Sequence, residues 1–287
     1  MSAALALRDP SPVGDQISAR NFERLARYIY DYSGIKMPSS KRTMLEGRLR
    51  RRLRHTGLPT FDAYCDYLFK DDGLEAESVH LIDAVTTNKT DFFREPKHFE
   101  YMAAKVLPEF QAAGVRRIRA WSAACSTGAE PYTMAMVMQD FADRHGGPDH
   151  QIVGTDLSTD VLEAAHRGVY ASEMVGPVPA DMKRRWVMAA RDPKRREVRI
   201  HPDLRASLTL ARLNLMDDSY AAVGDPFDII MCRNVMIYFD KPTQARVLKR
   251  LCERLKRGGY LFIGHSESIT GVDLPLVTVA NTVFRKT

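Results

Sequence analysis

Residues 118–134 read IRAWSAACSTGAEPYTM. Apolar and small residues run into a short small-residue loop, and a helix start follows. Pro131 fits a first helical turn, and an acid at Glu130 suits the positive N-terminal end. A strand, a tight turn and a helix in that order is how an open α/β sheet presents a nucleotide-like ligand at the carboxyl ends of its strands. Yet the loop holds one glycine, Gly128, and no phosphate-cradling signature. Glu130 would repel a phosphate at that helix end and suits a ligand carrying positive charge, such as an ammonium.

The rhythm continues downstream. The spacing predicts a strand over 116–123, a helix over 129–145, a strand over 151–157 and a helix over 158–168 capped by Ser158 or Thr159. Further strands are expected at 207–215, 227–234 and 260–266, with a helix over 242–256 stopped by Gly258-Gly259 and a terminal hairpin arm at 276–284. Strands alternating with helices imply a doubly wound, mainly parallel α/β sheet. Residues 168–205, with GPVP, the basic RDPKRRE and the alternating EVRIHP, interrupt the rhythm and read as a small inserted β-subdomain.

Upstream, residues 15–86 read as helices only, forming a separate N-terminal domain, with 87–287 as the α/β domain. Ser18 and Thr60 are expected caps, Gly34 and Gly57 expected stops. Leu45, Leu49 and Leu53 give the second helix a buried stripe, with Arg48, Arg50, Arg51 and Arg54 on its other side. Residues 1–14 read as a mobile tail without the basic start of a secretory signal.

Composition bounds the function. The chain has 287 residues, 45% hydrophobic and 27% charged, values of a soluble globular protein with two cores. No apolar run reaches the roughly 18–20 residues of a membrane span. Four scattered cysteines form no C-x-x-C pair, so neither a disulfide framework nor a zinc site is expected, and no other metal is called for. Cys125 has no evident base partner and reads as a small loop residue. Net charge is +6, and residues 41–55 alone hold seven Lys/Arg and one Glu. The excess therefore sits on one helix, which points to one acidic partner surface.

The strand ends carry the candidate site. Asp156 stands where a doubly wound fold grips ribose hydroxyls. A ribose and a cationic group without phosphates describe S-adenosylmethionine better than NAD or ATP. Asn214 can offer an amide to an adenine edge and Leu215 an apolar wall, and Arg233-Asn234 should emerge at the site rim after a buried run. Two other readings remain at this point: a methyltransferase acting on RNA or a small molecule, and a non-enzymatic binding module. No aromatic stacking platform for RNA accompanies the basic helix, and the polar strand ends argue against a bare scaffold.

TTNKTDFFRE (86–95), WSAACSTGAEPYT (121–133), GTDLS (154–158), NLMD (214–217), CRNVMIYFD (232–240) and GHSES (264–268) occur in this order. Together they resemble the CheR family of chemotaxis receptor glutamate O-methyltransferases over residues 18–285. The resemblance implies a cytosolic bacterial enzyme. It would move a methyl group from S-adenosylmethionine to glutamates on the helical cytoplasmic part of methyl-accepting chemoreceptors, acting as a monomer without nucleic acid or membrane insertion. It matches Asn88, Thr90, Arg94, Glu130, Asp156, Asn214, Leu215, Arg233 and Asn234 to the cofactor site. It matches Tyr238 to that site as well. For the chemistry, Arg94 is expected to hold the cofactor's carboxylate or orient the acceptor, and Tyr238 to position the methyl group and carboxylate, which makes these two the candidate catalytic residues. Arg48, Arg51 and Arg54 then become candidate receptor contacts. Two departures stand out. Ala129 replaces the Glu or Gln of many members, leaving Glu130 to carry that charge alone. The 191–197 loop lacks the glycine with which some members dock a receptor tether, so no tether requirement is expected.

Overall fold

The computed structural model describes residues 15–192 and 194–287; the expected tail, residues 1–14, lies outside the described residues. The chain divides into two compact units between Thr87 and Asn88.

The first unit contains helices α1 (Ala19–Ser33), α2 (Arg42–Thr56), α3 (Phe61–Lys70) and α4 (Leu74–Val85), with a 3₁₀ turn at Ser39–Lys41 leading into α2. The Ser18 hydroxyl accepts from the Asn21 N–H, and the Thr60 hydroxyl from the Ala63 N–H. Gly34 and Gly57 adopt the left-handed conformation that ends a helix without steric cost. Leu45, Leu49 and Leu53 are buried, as are Leu25, Ile29, Phe61 and Ile82. Each such leucine contributes about 1.5–3 kcal/mol by leaving water.

The second unit begins with α5 (Pro96–Tyr101) and α6 (Leu107–Ala112), joined by a π turn over Met102–Val106. The sequence reading made no assignment there. Phe99, Met102, Val106 and Phe110 nevertheless recur at helical spacing and are buried. The sheet follows: β1 (Arg117–Ala123), α7 (Ala129–His145), β2 (Asp149–Asp156) and α8 (Thr159–Arg167). Between residues 168 and 205 come β3 (Val169–Ala171), α9 (Ala180–Trp186), β4 (Val187–Ala189), β5 (Glu197–Ile200) and α10 (Pro202–Ala206). Strands β3, β5 and β4 form their own antiparallel sheet. The main sheet resumes with β6 (Leu208–Arg212), β7 (Phe227–Cys232), α11 (Lys241–Glu253), β8 (Leu255–Ile263), β9 (Leu276–Ala280) and β10 (Val283–Lys286).

The main sheet runs β6-β2-β1-β7-β8-β10-β9, parallel from β6 to β8 and antiparallel at its last two strands. Among the parallel strands, chain order moves outward from β1 on one side and from β7 on the other. The crevice at the carboxyl ends of β1 and β7 is thus the topological switch point, where such sheets bind ligands. β7 is buried at all six positions, as a strand covered on both faces must be.

Several boundaries differ from expectation, most of all around residue 256, where the strand expected from residue 260 already starts at Leu255. The helix expected to reach residue 256 ends at Glu253, and Gly258-Gly259 lie inside β8. The glycine pair stops no helix. A side chain at Gly259 would meet the Asp228 and Lys256 carbonyl oxygens at 2.9 Å, so the glycine permits close approach of the strands.

Candidate functional site

The turn after β1 is held in an unusual conformation. Ala124, Ser126 and Gly128 all have positive φ. Gly128 has a second constraint, because an added Cβ would lie 2.8 Å from the Ala165 Cβ. Five of the seven positive-φ non-glycine residues among those described are Phe93, Glu95, Ala124, Ser126 and Asn234. Backbone strain of this kind costs about 1–3 kcal/mol per residue and persists only where neighbours enforce it. Here those neighbours are buried side-chain acceptors. The Asp156 carboxylate at the end of β2 receives the Ser126 N–H at 2.8 Å and the Ser158 N–H at 2.9 Å. The Ser126 hydroxyl donates to the Asn88 carbonyl at 2.8 Å, tying the start of the unit to the same turn.

Glu130 stands on the first turn of α7 with a side chain 13% exposed. Its oxygens accept from the Ser122 hydroxyl at 2.7 Å and from the Arg233 guanidinium at 3.1 Å. Burial pushes the Glu130 carboxyl above its ordinary range, opposed by Arg233 and Ser122. Arg233 corrects one expectation. It does not emerge at the rim; its side chain is 2% exposed. It is buried because a second carboxylate, Glu95, receives it at 2.9 Å, while the Arg94 carbonyl takes another of its N–H groups and the Phe99 ring lies 5.4 Å below. Two carboxylates share one guanidinium, leaving a net negative charge. Burial raises the Glu95 carboxyl, but the Asn234 amide and Arg233 outweigh it and hold it at about 2.

Asn234, at φ 60°, donates its side-chain amide to Glu95 at 3.1 Å. Tyr238 is half-buried in a 3₁₀ turn, Met236–Tyr238, packed against the core that contains Leu215 and Met236. Asn214 lies two residues beyond β6 and accepts the Met216 N–H on its side-chain oxygen at 3.0 Å. Leu215 is 7% exposed, so most of its surface faces the core. The Arg94 guanidinium donates to the Lys89 carbonyl at 3.0 Å, and Thr90 is half-buried in the same segment.

Glu130, Arg233, Asn234 and the Arg94 backbone therefore join in one network, while Asp156 and Asn88 meet through Ser126. The sequence alone does not single out the residues that complete these links, Glu95, Ser122 and Ser126. Glu95 lies within a quoted motif, but the Arg233 and Asn234 groups it holds are 138 and 139 residues away. The donor set fits a ribose and a cationic group. Asp156 and Glu130 supply acceptors, and the guanidinium nearest the α7 N-terminus is already matched by two carboxylates, so a phosphate would meet net negative charge.

The basic helix of the first unit needs correction too. Arg48 does not lie free on the outer face. It donates to the Val85 and Thr86 carbonyls, the latter at 2.8 Å, and to the Thr87 hydroxyl at 3.1 Å, closing the end of α4. Arg50 reaches the Asp15 carbonyl and lies over Phe61, and Arg52 makes two bonds to the buried Glu77. Arg51 and Arg54 are exposed.

Other chemistry is poorly supported. Burial raises the Cys125 thiol well above its ordinary range, which disfavours a thiolate nucleophile. Glu95, His98 and His265 place one donor atom each within 4.8 Å of one another. Both Glu95 oxygens are already taken, by Arg233, the Asn234 amide and the His265 N–H at 3.3 Å. A cation there would have to displace a buried guanidinium.

A family profile described as CheR methyltransferase, SAM binding domain, matches residues 88–284, and one described as CheR methyltransferase, all-alpha domain, matches residues 20–86. Chemotaxis protein methyltransferase 2 of Pseudomonas aeruginosa is 36% identical over 279 residues, covering 96% of this chain and 97% of that protein. The chemotaxis protein methyltransferase of Klebsiella aerogenes is 38% identical over 268 residues, covering 93% and 90%. Among solved structures, magnesium protoporphyrin IX methyltransferase from Synechocystis with bound SAM has a TM-score of 0.32 at 14% identity, over 69% of this chain and 72% of that one. A structural likeness at that level carries no further weight.

Proposed function

This chain belongs to the CheR methyltransferase family and is an S-adenosylmethionine-dependent methyltransferase of chemotaxis, and from that premise we propose that it esterifies glutamate side chains on the cytoplasmic helices of chemoreceptors. The observation that carries the reading is the set of acceptors at the switch point, Asp156 and Glu130, backed by a guanidinium that two carboxylates have already neutralised.

When bound, S-adenosylmethionine supplies a methyl group on a sulfonium, whose leaving group is a neutral thioether. Asp156 receives the ribose hydroxyls in this reading, and the N–H groups it already accepts fix its carboxylate in place. Asn214 would address the adenine edge, and Leu215 would offer it an apolar wall. Glu130 answers the cationic end, held by Ser122 and Arg233. Ala129 adds no acid, and Glu95 stands across the guanidinium from Glu130. Asn88, Thr90 and Asn234 complete the cofactor contacts, and Arg94 holds the cofactor carboxylate or aligns the acceptor.

The acceptor carboxyl has an ordinary pKa of about 4.3 and is ionised at neutral pH. No general base is required, and His265 has no necessary proton-transfer role. The reaction neutralises both partners' charges, so tight binding of the attacking carboxylate would slow it. The site therefore calls for alignment and exclusion of water, with few contacts to that carboxylate. Tyr238 is assigned to position the methyl group and carboxylate. On the first unit, Arg51 and Arg54 are the exposed cations suited to seat acidic receptor helices, and Arg48 leaves the candidate set because its guanidinium closes α4. The enzyme works as a monomer in the cytoplasm in this reading.

The test is methyl transfer from labelled S-adenosylmethionine to a receptor cytoplasmic fragment, followed by base. Glutamyl methyl esters release volatile methanol. Base-stable label would move the acceptor to an amine or nucleobase, and absence of label would reduce the protein to a binding module.

A further inference from the structure

The GHSES motif contributes a buried acid that the cofactor and acceptor assignments do not use. Glu267 is 8% exposed and lies four residues past β8. One of its oxygens accepts the Asn234 N–H at 3.0 Å and the Gly264 N–H at 2.6 Å; the other accepts the Met236 N–H at 2.8 Å. Two of these three donors belong to the turn that carries Asn234 and Tyr238. That turn starts with a non-glycine residue at φ 60°, a conformation that must be enforced from outside. The fit is close, because a Cβ on Gly264 would lie 2.6 Å from the Asn234 amide nitrogen and 2.8 Å from both its backbone nitrogen and the Glu267 carboxylate. Across the turn, Glu95 takes the Asn234 side-chain amide and the His265 N–H. The loops after β7 and β8 are thus bracketed by two carboxylates. Backbone N–H groups from two chain segments converge on one of them.

We infer that Glu267 is a positioning residue for methyl transfer: its carboxylate, touching neither cofactor nor acceptor, holds the Asn234–Tyr238 turn in the strained conformation that aims both side chains. This rests on the proposed roles of Asn234 and Tyr238. A tertiary-core acid of the same burial would affect stability alone. An acid that sets the turn affects the chemical step, because misplacement of about 1 Å costs up to roughly 100-fold in rate.

Glu267→Gln tests the distinction with little change of shape. Whichever way the carboxamide turns, its NH₂ faces at least one of the three backbone N–H donors and loses that bond. Measured well below the variant's Tm, kcat should fall roughly ten- to a hundred-fold, with the receptor KM nearly unchanged. Binding of S-adenosylhomocysteine by calorimetry should weaken several-fold through Asn234. Phe110→Leu, a core truncation on α6, is the control. It lowers Tm and leaves kcat per folded molecule as in wild type. If Glu267→Gln lowers Tm but keeps wild-type kcat and S-adenosylhomocysteine affinity, the inference is overturned. If that variant does not fold, Gly264→Ala keeps every charge and displaces the same turn; wild-type kcat and affinity in it would overturn the inference equally. Failure of the wild-type enzyme to form base-labile esters would count against the functional reading instead. The S-adenosylhomocysteine titration then still decides the role of Glu267, with unweakened binding overturning it.

Discussion

Arg233→Met removes the charge that separates two buried carboxylates and keeps most of the side-chain volume. Glu130 and Glu95 are 13% and 14% exposed and share that guanidinium at 3.1 and 2.9 Å. Breaking a buried pair by removing one partner costs about 3–5 kcal/mol, because the remaining charge is stranded. A second estimate bounds the first. A stranded carboxylate escapes by taking up a proton, and protonating a group of ordinary pKa at pH 7 costs about 4 kcal/mol. The deficit therefore sits at about 3–5 kcal/mol at pH 7, a large part of a typical 5–15 kcal/mol stability. It should shrink by about 2–3 kcal/mol at pH 5, where the proton is cheaper to acquire. Both tryptophans, Trp121 and Trp186, lie in the second unit, so their fluorescence during urea unfolding follows the unit that contains the site. The double variant Arg233→Met/Glu95→Gln should recover part of the loss. A deficit below about 1 kcal/mol at pH 7, or one that does not change with pH, would refute the picture of one guanidinium shared by two buried acids.

Four further predictions concern other residues. His98 is 2% exposed; burial, with Arg233 nearby, pushes its ring down to about 4 from 6.5. Its neutral form belongs to the fold, so this contribution is intact above about pH 6.5 and is lost as pH falls towards 4, up to about 3 kcal/mol. Stability of His98→Asn should fall less steeply over that window, and an unchanged slope would contradict the assignment. Arg48→Ala should lower stability by about 1–3 kcal/mol through the carbonyls it leaves at the end of α4, with little change in receptor KM. Arg51→Glu should raise the receptor KM at low salt without weakening cofactor binding; the reverse pattern in steady-state assays would exchange their roles. A receptor C-terminal tether peptide should show no micromolar binding in a calorimetric titration, since the 191–197 loop lacks the glycine that tether docking is expected to need.

What the sequence disclosed, and what it concealed, divides along a physical line. Caps and stops such as Ser18, Thr60, Gly34 and Gly57 act within one or two turns, and local spacing reveals them. The alternation of strands and helices likewise fixed the sheet, and the strand-end positions of Asp156 and Asn234 could be read from it. Burial of charge could not. Arg233 looks like a rim residue because its partners, Glu130 and Glu95, lie 103 and 138 residues away. Arg48 was misplaced for the same reason: helical periodicity put it on a polar face, and the polar groups it meets are the last carbonyls of another helix. Gly258-Gly259 resembled a helix stop because the reason for small residues there is the adjoining Asp228 carbonyl. The helices after Pro96 carry apolar spacing, but a π turn interrupts its regular period.

The central claim, methyl esterification of receptor glutamates from S-adenosylmethionine, has a direct measurement. Incubate the wild-type protein with a receptor cytoplasmic fragment and S-adenosylmethionine at neutral pH, digest the fragment, and locate added methyl groups by tandem mass spectrometry. The account predicts methyl esters on glutamate side chains alone, removable by mild base and dependent on Arg94 and Tyr238. Methyl groups on lysine, arginine or the peptide terminus, or none on a fragment shown to be bound, would contradict it.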